Sequence, residues 1–182
     1  MKVYVSIATK GDRPEQLNKT IASIKNQCDE LFLYDNSQLP DLTDMGKFYL
    51  LHQLSQPCYY LTIDDDIIYP TDYVDQITSD IDHYGTIIAY HGRILKQPIK
   101  RYYQGHDLYD FRHGYDKALF VDVGGTGVMG FRTDYFNPVE VYKTPYKCMS
   151  DIVVSLEAKR QNKKIICAPK ERGWLIQQEV ES

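Results

Sequence analysis

The sequence contains no apolar run approaching the roughly 18 residues that a membrane-spanning helix requires. Its N-terminus, MKVYVSIATKGDR, is interrupted by Lys10, Asp12 and Arg13 before a signal-peptide core can form. Cysteine is sparse. Cys28, Cys58, Cys148 and Cys167 lie far apart with no CxxC pair, which argues against a zinc site. With no secretory signal they read as reduced thiols in a cytoplasmic protein. A strong excess of either charge is also missing: 21 Lys and Arg stand against 25 Asp and Glu, so a general nucleic-acid binder is disfavoured. Linkers, internal repeats and low-complexity tracts are absent too. With 43% hydrophobic and 25% charged residues, the 182-residue chain reads as one globular domain. What is abundant is tyrosine, 16 in all, whose apolar ring and polar tip suit a sugar- or base-lined cleft as well as ordinary packing.

The first half alternates strand and helix signals. KVYVSIAT (2–9) is a β-rich run, and Leu17, Ile21, Ile24 and Cys28 then share one helical face. Asp12 and Glu15 resemble a capping box, with Pro14 in the first turn. ELFLYDNS (30–37) reads as a second strand, 43–55 as a helix, and CYYLTIDDD as a third strand. Thr71 can cap a helix carrying Val74, Ile77 and Ile81, followed by a strand over 86–92. Strands separated by helices of this length imply βαβ units, hence an α/β fold with a mostly parallel central sheet. The second half is more mixed. Residues 93–118 read as a long polar, aromatic loop of the kind that carries function. Two further strands surround a glycine-rich bend (ALFVDVGG and GVMGFRTDYF). A helix from about Ser150 to Asn162 and a short strand KIICAPK complete the chain.

Ligands of parallel α/β sheets bind at the carboxyl ends of the strands. Three polar clusters fall there: ATKGDR, YDNS and the triplet Asp64, Asp65, Asp66. The triplet is flanked by Leu61 and Ile63 on one side and by Ile67 and Ile68 on the other. Carboxylates delivered to a cleft edge by a buried strand are a common way to hold Mg²⁺ or Mn²⁺, which prefer oxygen ligands and bridge to phosphates.

A hydrophobic strand ending in an Asp-x-Asp triplet, in this order of elements, resembles the nucleotide-sugar glycosyltransferases of the GT-A fold. The resemblance is closest to the family-2-like group and to small viral and bacterial relatives, and spans Val3 to about Ala168. It implies a nucleotide-sugar half (1–92) and an acceptor half (93–182). It also implies a UDP-sugar donor, a carbohydrate or other hydroxyl acceptor, and a divalent cation. Thr9 and Arg13 would line the nucleotide pocket, Asp35 would meet the base, Asp64 the ribose or donor sugar, and Asp66 the metal. Asp65, the variable middle residue, would face solvent or the donor sugar and matter least. Asp151, at the start of the last helix with Ser150 as its N-cap, would be the base of an inverting transfer, with retention as the open alternative. The helix N-terminus favours the ionised carboxylate that a base requires.

GTGVMG matches G-x-G-x-x-G, but a strand-like run and Pro138 and Pro145 follow where a helix should open. Gly125 and Gly127 are therefore read as backbone approaching the donor or acceptor sugar. The last histidine, His113, lies in the middle loop rather than late in the chain, where many GT-A enzymes complete the metal shell. Arg93, Lys96, Lys100 and Arg101 can meet phosphate or an acidic acceptor, or form a solvated basic face. Two other readings stay open: a nucleotidyltransferase, and a non-catalytic sugar-binding module that keeps the fold.

Overall fold

A computed structural model of the chain describes residues 1–98 and 105–179. Lys100 and Arg101 lie outside these described residues. The chain runs through β1 (Val3–Thr9), α1 (Pro14–Ile24), β2 (Glu30–Asp35), a 3₁₀ helix (Thr43–Gln53) and β3 (Tyr59–Ile63). Next come β4 (Ile67–Ile68), α2 (Tyr73–Tyr84), β5 (Ile87–Ala89), β6 (Gly92–Leu95) and β7 (His106–Tyr109). It ends with β8 (Leu119–Val121), β9 (Val123–Gly124), β10 (Val128–Arg132), α3 (Ser150–Arg160), β11 (Ile165–Cys167) and β12 (Ile176–Gln177).

The central sheet has the order β2-β1-β3-β10-β5-β11-β8. Strands β1, β2, β3, β5 and β11 share one direction, while β10 and β8 run against it. The sheet is thus mostly parallel within one mixed α/β domain, as the alternating pattern predicts. Its strands are apolar on both faces because helices cover both. On one face Val5, Ile7, Leu61 and Ile63 pack against α1 and α2 through Ile24, Val74, Ile77 and Ile81. On the other, Tyr60, Met129 and Phe131 meet Met45 and Phe48 of the 3₁₀ helix and Val154 of α3. The alternation of Tyr60 with Leu61 between the two cores is the period-2 signature of a strand.

Several expectations need correction. Residues 43–55 form a 3₁₀ helix rather than an α-helix, pressed so close to the sheet that a Cβ on Gly46 would lie 2.5 Å from the Tyr34 ring. The expected strand over 86–92 breaks after Ala89, and Gly92 opens β6 in a separate sheet of order β7-β6-β9. Residues 93–118 are therefore not simply a loop, because β6 and β7 pair antiparallel across them. Ser150 is the first residue of α3 rather than its N-cap, a position held by Met149. Pro14 opens α1 as expected, but Arg13 precedes it without a side-chain cap.

Candidate active site

Register places the polar clusters on one edge. Thr9 pairs with Asp35 and Ile7 with Ile63, so the ends of β1, β2 and β3 lie side by side. Because β10 is antiparallel, its beginning meets the end of β3, with Val128 opposite Ile63. This brings Gly125–Gly127 to the same edge. A Cβ on Gly127 would overlap the Asp64 carboxylate, and one on Gly125 would come within 2.9 Å of the His91 ring. Space, not backbone conformation, demands glycine at these two positions. The Tyr69 hydroxyl closes the seam, donating to the Gly127 carbonyl at 2.6 Å and accepting from the Asp64 N–H at 3.0 Å.

The three aspartates have different surroundings. Asp65 is 5% exposed, the most buried of them. It accepts hydrogen bonds from Thr9 Oγ1 at 2.8 Å and Arg13 Nη2 at 2.6 Å. This corrects the expectation that it faces solvent. Burial pushes its pKa up, an effect that Thr9 and Arg13 oppose. Asp66 takes Arg13 Nη1 at 2.8 Å through Oδ2. Asp64 accepts from the Lys47 ammonium through Oδ1. Among the described residues no hydrogen bond reaches Asp64 Oδ2 or Asp66 Oδ1.

Sequence reasoning missed Lys47, whose side chain is only 3% exposed. Burial disfavours its charge, but Asp64, Asp151 and Asp44 outweigh that, so its pKa stands above the ordinary value. A lysine inside a helical signal carries no mark of burial. The sole hint is Asp44, three residues earlier and so on the same face of a 3₁₀ helix. Asp44 was missed as well; its Oδ2 accepts from the Ser150 N–H at 2.9 Å and from Ser150 Oγ at 2.6 Å. It thereby occupies the N-terminus of α3 in place of a local cap.

Asp151 stands in the first turn of α3. Its Oδ1 accepts from Thr126 N and from Thr126 Oγ1, both at 2.8 Å, and its Oδ2 lies 3.9 Å from Arg93 Nη1. Asp35 is turned to its own turn, accepting from Ser37 N, Ser37 Oγ and Gln38. The neighbouring Asn36 lines the cleft instead. Lys96 pairs with Asp107 on the surface at 2.5 Å, and His113 is exposed.

Two adjoining cavities follow this edge. One, about 490 Å³, is walled by Ala8–Lys10, Asp12, Arg13, Asn36 and the aspartate triplet. The other, about 350 Å³, is walled by Arg93, Thr126 and residues 149–152. They share Asp44, Lys47, Asp64 and Cys148. Of the predicted residues, Thr9, Arg13, Asp64, Asp65 and Asp66 meet in the first cavity. Asp64 and Asp151 meet in the second, Gly125 and Gly127 support the wall, and Asp35 lines neither.

The charged side chains lining the two cavities are six carboxylates and four cations, a net charge of two minus. That balance, together with two carboxylate oxygens not otherwise bonded, fits one hard divalent cation. Among the described residues no three Asp, Glu, His or Cys side chains converge as a metal cage. Substrate oxygens would therefore have to complete the shell, as is usual for Mg²⁺ at phosphate sites.

No family model matches the sequence, and no curated protein matches it. Solved structures that resemble the fold include the two that follow. A197 from STIV has a TM-score of 0.50 at 11% identity, over 100% of this chain and 96% of that one. S. aureus TarS 1-349 has a TM-score of 0.54 at 12% identity, over 94% of this chain. The present chain spans only 59% of that TarS chain. The likeness is one of fold, and the fold is GT-A-like. No helix of the described residues is long and apolar enough to cross a membrane.

Proposed function

We propose that the protein transfers a sugar from a uridine-diphosphate sugar to a hydroxyl acceptor, with inversion at the sugar carbon. The observation that carries this reading is the double cavity. One compartment offers cations and the Asp64–Asp66 turn to a nucleoside diphosphate, the other offers a carboxylate to an acceptor, and Asp64 lies on the boundary. The GT-A-like fold is its setting, in which the sequence resemblance assigns the donor to this edge.

The donor diphosphate lies in the first compartment, where Lys10 and Arg13 face it, and the sugar lies at the boundary beside Asp64. The acceptor enters past Arg93 and Thr126. Its hydroxyl oxygen bonds to the anomeric carbon, its proton passes to Asp151 Oδ2, and the bond from that carbon to the β-phosphate oxygen breaks with its electron pair on the diphosphate. Thr126 occupies Asp151 Oδ1 and so directs the other oxygen towards the acceptor. A divalent cation held by Asp66, with Asp64 Oδ2 beside it, would neutralise charge on the departing diphosphate.

The test is UDP release from a panel of UDP-sugars with Mn²⁺, with and without simple sugar acceptors. The reading expects acceptor-stimulated release, lowered about 100-fold or more by Asp151→Asn with donor KM nearly unchanged. UDP binding without release from any donor would point to a non-catalytic module instead.

A further inference from the structure

The central sheet fixes the aspartate triplet on one side only. Ile63 ends β3 within that sheet, whereas Ile67 and Ile68 form β4, whose ladder partner among the described residues is β12. Asp66 stands at the start of this smaller pairing, and its carbonyl accepts hydrogen bonds from Gln178 N at 2.8 Å and Gln177 Nε2 at 3.2 Å. Gln178 is half-buried, while Ile176, Gln177 and Glu179 beside it are exposed. Its side-chain Nε2 reaches across to α1, donating to Gln16 O at 3.0 Å and to Thr20 Oγ1 at 2.9 Å. The buried Thr20 hydroxyl in turn donates to Ile67 O at 2.8 Å. A closed ring of hydrogen bonds thus joins Asp66 and Ile67 through Gln178 to α1, the helix that Arg13 precedes. Asp66 is held by Gln178 at its carbonyl and by Arg13 at Oδ2, which leaves Oδ1 for a ligand.

We propose that Gln178 is a positioning residue of the donor site: by fixing the Asp66 peptide against α1, it keeps Asp66 Oδ1 ready for the divalent cation. This rests on the glycosyl-transfer reading above. Three adjacent carboxylates repel one another, which favours opening of the turn while no cation is bound. A turn held from both ends has less to order when the cation arrives. Partners that orient a metal ligand contribute about 10- to 100-fold in metal affinity. Gln178 lines neither cavity, so its influence on the donor runs through Asp66 rather than through contact with the nucleotide.

The test is isothermal titration of UDP at a series of Mn²⁺ concentrations, which gives the Mn²⁺ level for half-maximal binding, with melting temperature as the check on folding. Gln178→Ala keeps the backbone bond to Asp66 and removes the ties to α1. Gln178→Pro removes the N–H itself, and Ile176→Ala alters the same strand at an exposed side chain. The Mn²⁺ requirement is expected to rise about threefold in Gln178→Ala and about tenfold or more in Gln178→Pro, with Ile176→Ala at the wild-type value. Excess Mn²⁺ restores UDP binding in both Gln178 variants. If Gln178→Pro does not fold, Gln178→Ala decides the matter alone. An unchanged requirement in the folded Gln178 variants overturns the proposal while leaving Mn²⁺-dependent UDP binding and the transfer reading intact. An equal rise in Ile176→Ala overturns it too, because the effect would then belong to the stability of β12 in general. A wild-type protein that does not bind UDP with Mn²⁺ overturns the transfer reading, and this inference with it.

Discussion

Residue by residue, the triplet divides its work in a way that its spelling hides. Three identical side chains in a row have one propensity, and only the fold decides that Asp65 turns inward to Thr9 and Arg13 while Asp64 and Asp66 keep an oxygen towards the cleft. Removing one partner of a buried, hydrogen-bonded ion pair costs about 3–5 kcal/mol, and the part-exposed Arg13 places this pair at the lower end. Asp65→Ala should therefore lose about 3 kcal/mol in urea unfolding. Asp66→Ala should lose under about 1 kcal/mol, because Arg13 keeps Asp65 and Asp66 is the more exposed carboxylate. Equal losses would show that the two carboxylates share one role. Lys47 was illegible for a related reason: the sequence records a lysine, whereas its burial results from the 3₁₀ helix lying flat on Tyr34 and Tyr60.

Individual elements were legible where their signal was local. Val74, Ile77 and Ile81 recur at helical spacing and are the buried face of α2, and Gly85 ends it at φ 61°, in the left-handed region that glycine adopts without strain. Pro14 likewise marks the first turn of α1. Elements whose fate is set by distant partners were not legible. The run 86–92 is continuous in pattern, yet it divides because β5 belongs to the central sheet and β6 to the small one. Around the glycine bend, Thr126 joins β10 to α3 by donating from N and Oγ1 to Asp151. Thr126→Val keeps the backbone bond and removes the hydroxyl. A net hydrogen bond to a charged group contributes about 1.5–3 kcal/mol, so kcat should fall about tenfold or more while UDP affinity is retained. A parallel loss of UDP affinity, measured by titration, would mean that Thr126 serves the donor side instead.

Across the whole molecule, strand order and direction set the location of the site, and much of this was readable. Alternating β and α signals imply a parallel sheet, parallel sheets bind ligands at the carboxyl edge, and the polar clusters after β1 and β3 line the cavities there. The cluster after β2 is only partly so, with Asn36 in the wall and Asp35 turned away. The union of two halves was less legible. The donor compartment is walled almost wholly by residues before 67, while Asp151 is carried by α3. They meet because antiparallel β10 returns the chain to the edge of β3 and because residues 41–47 clasp the start of α3. The central claim is that this edge holds a nucleoside diphosphate with the help of a divalent cation and Asp66. Isothermal titration of UDP tests it most directly, run with Mn²⁺ and with EDTA on the wild type and on Asp66→Ala. The account predicts binding that requires Mn²⁺ and is lost in Asp66→Ala, with melting temperature little changed. Binding of equal strength in EDTA, or in a folded Asp66→Ala protein, would contradict it.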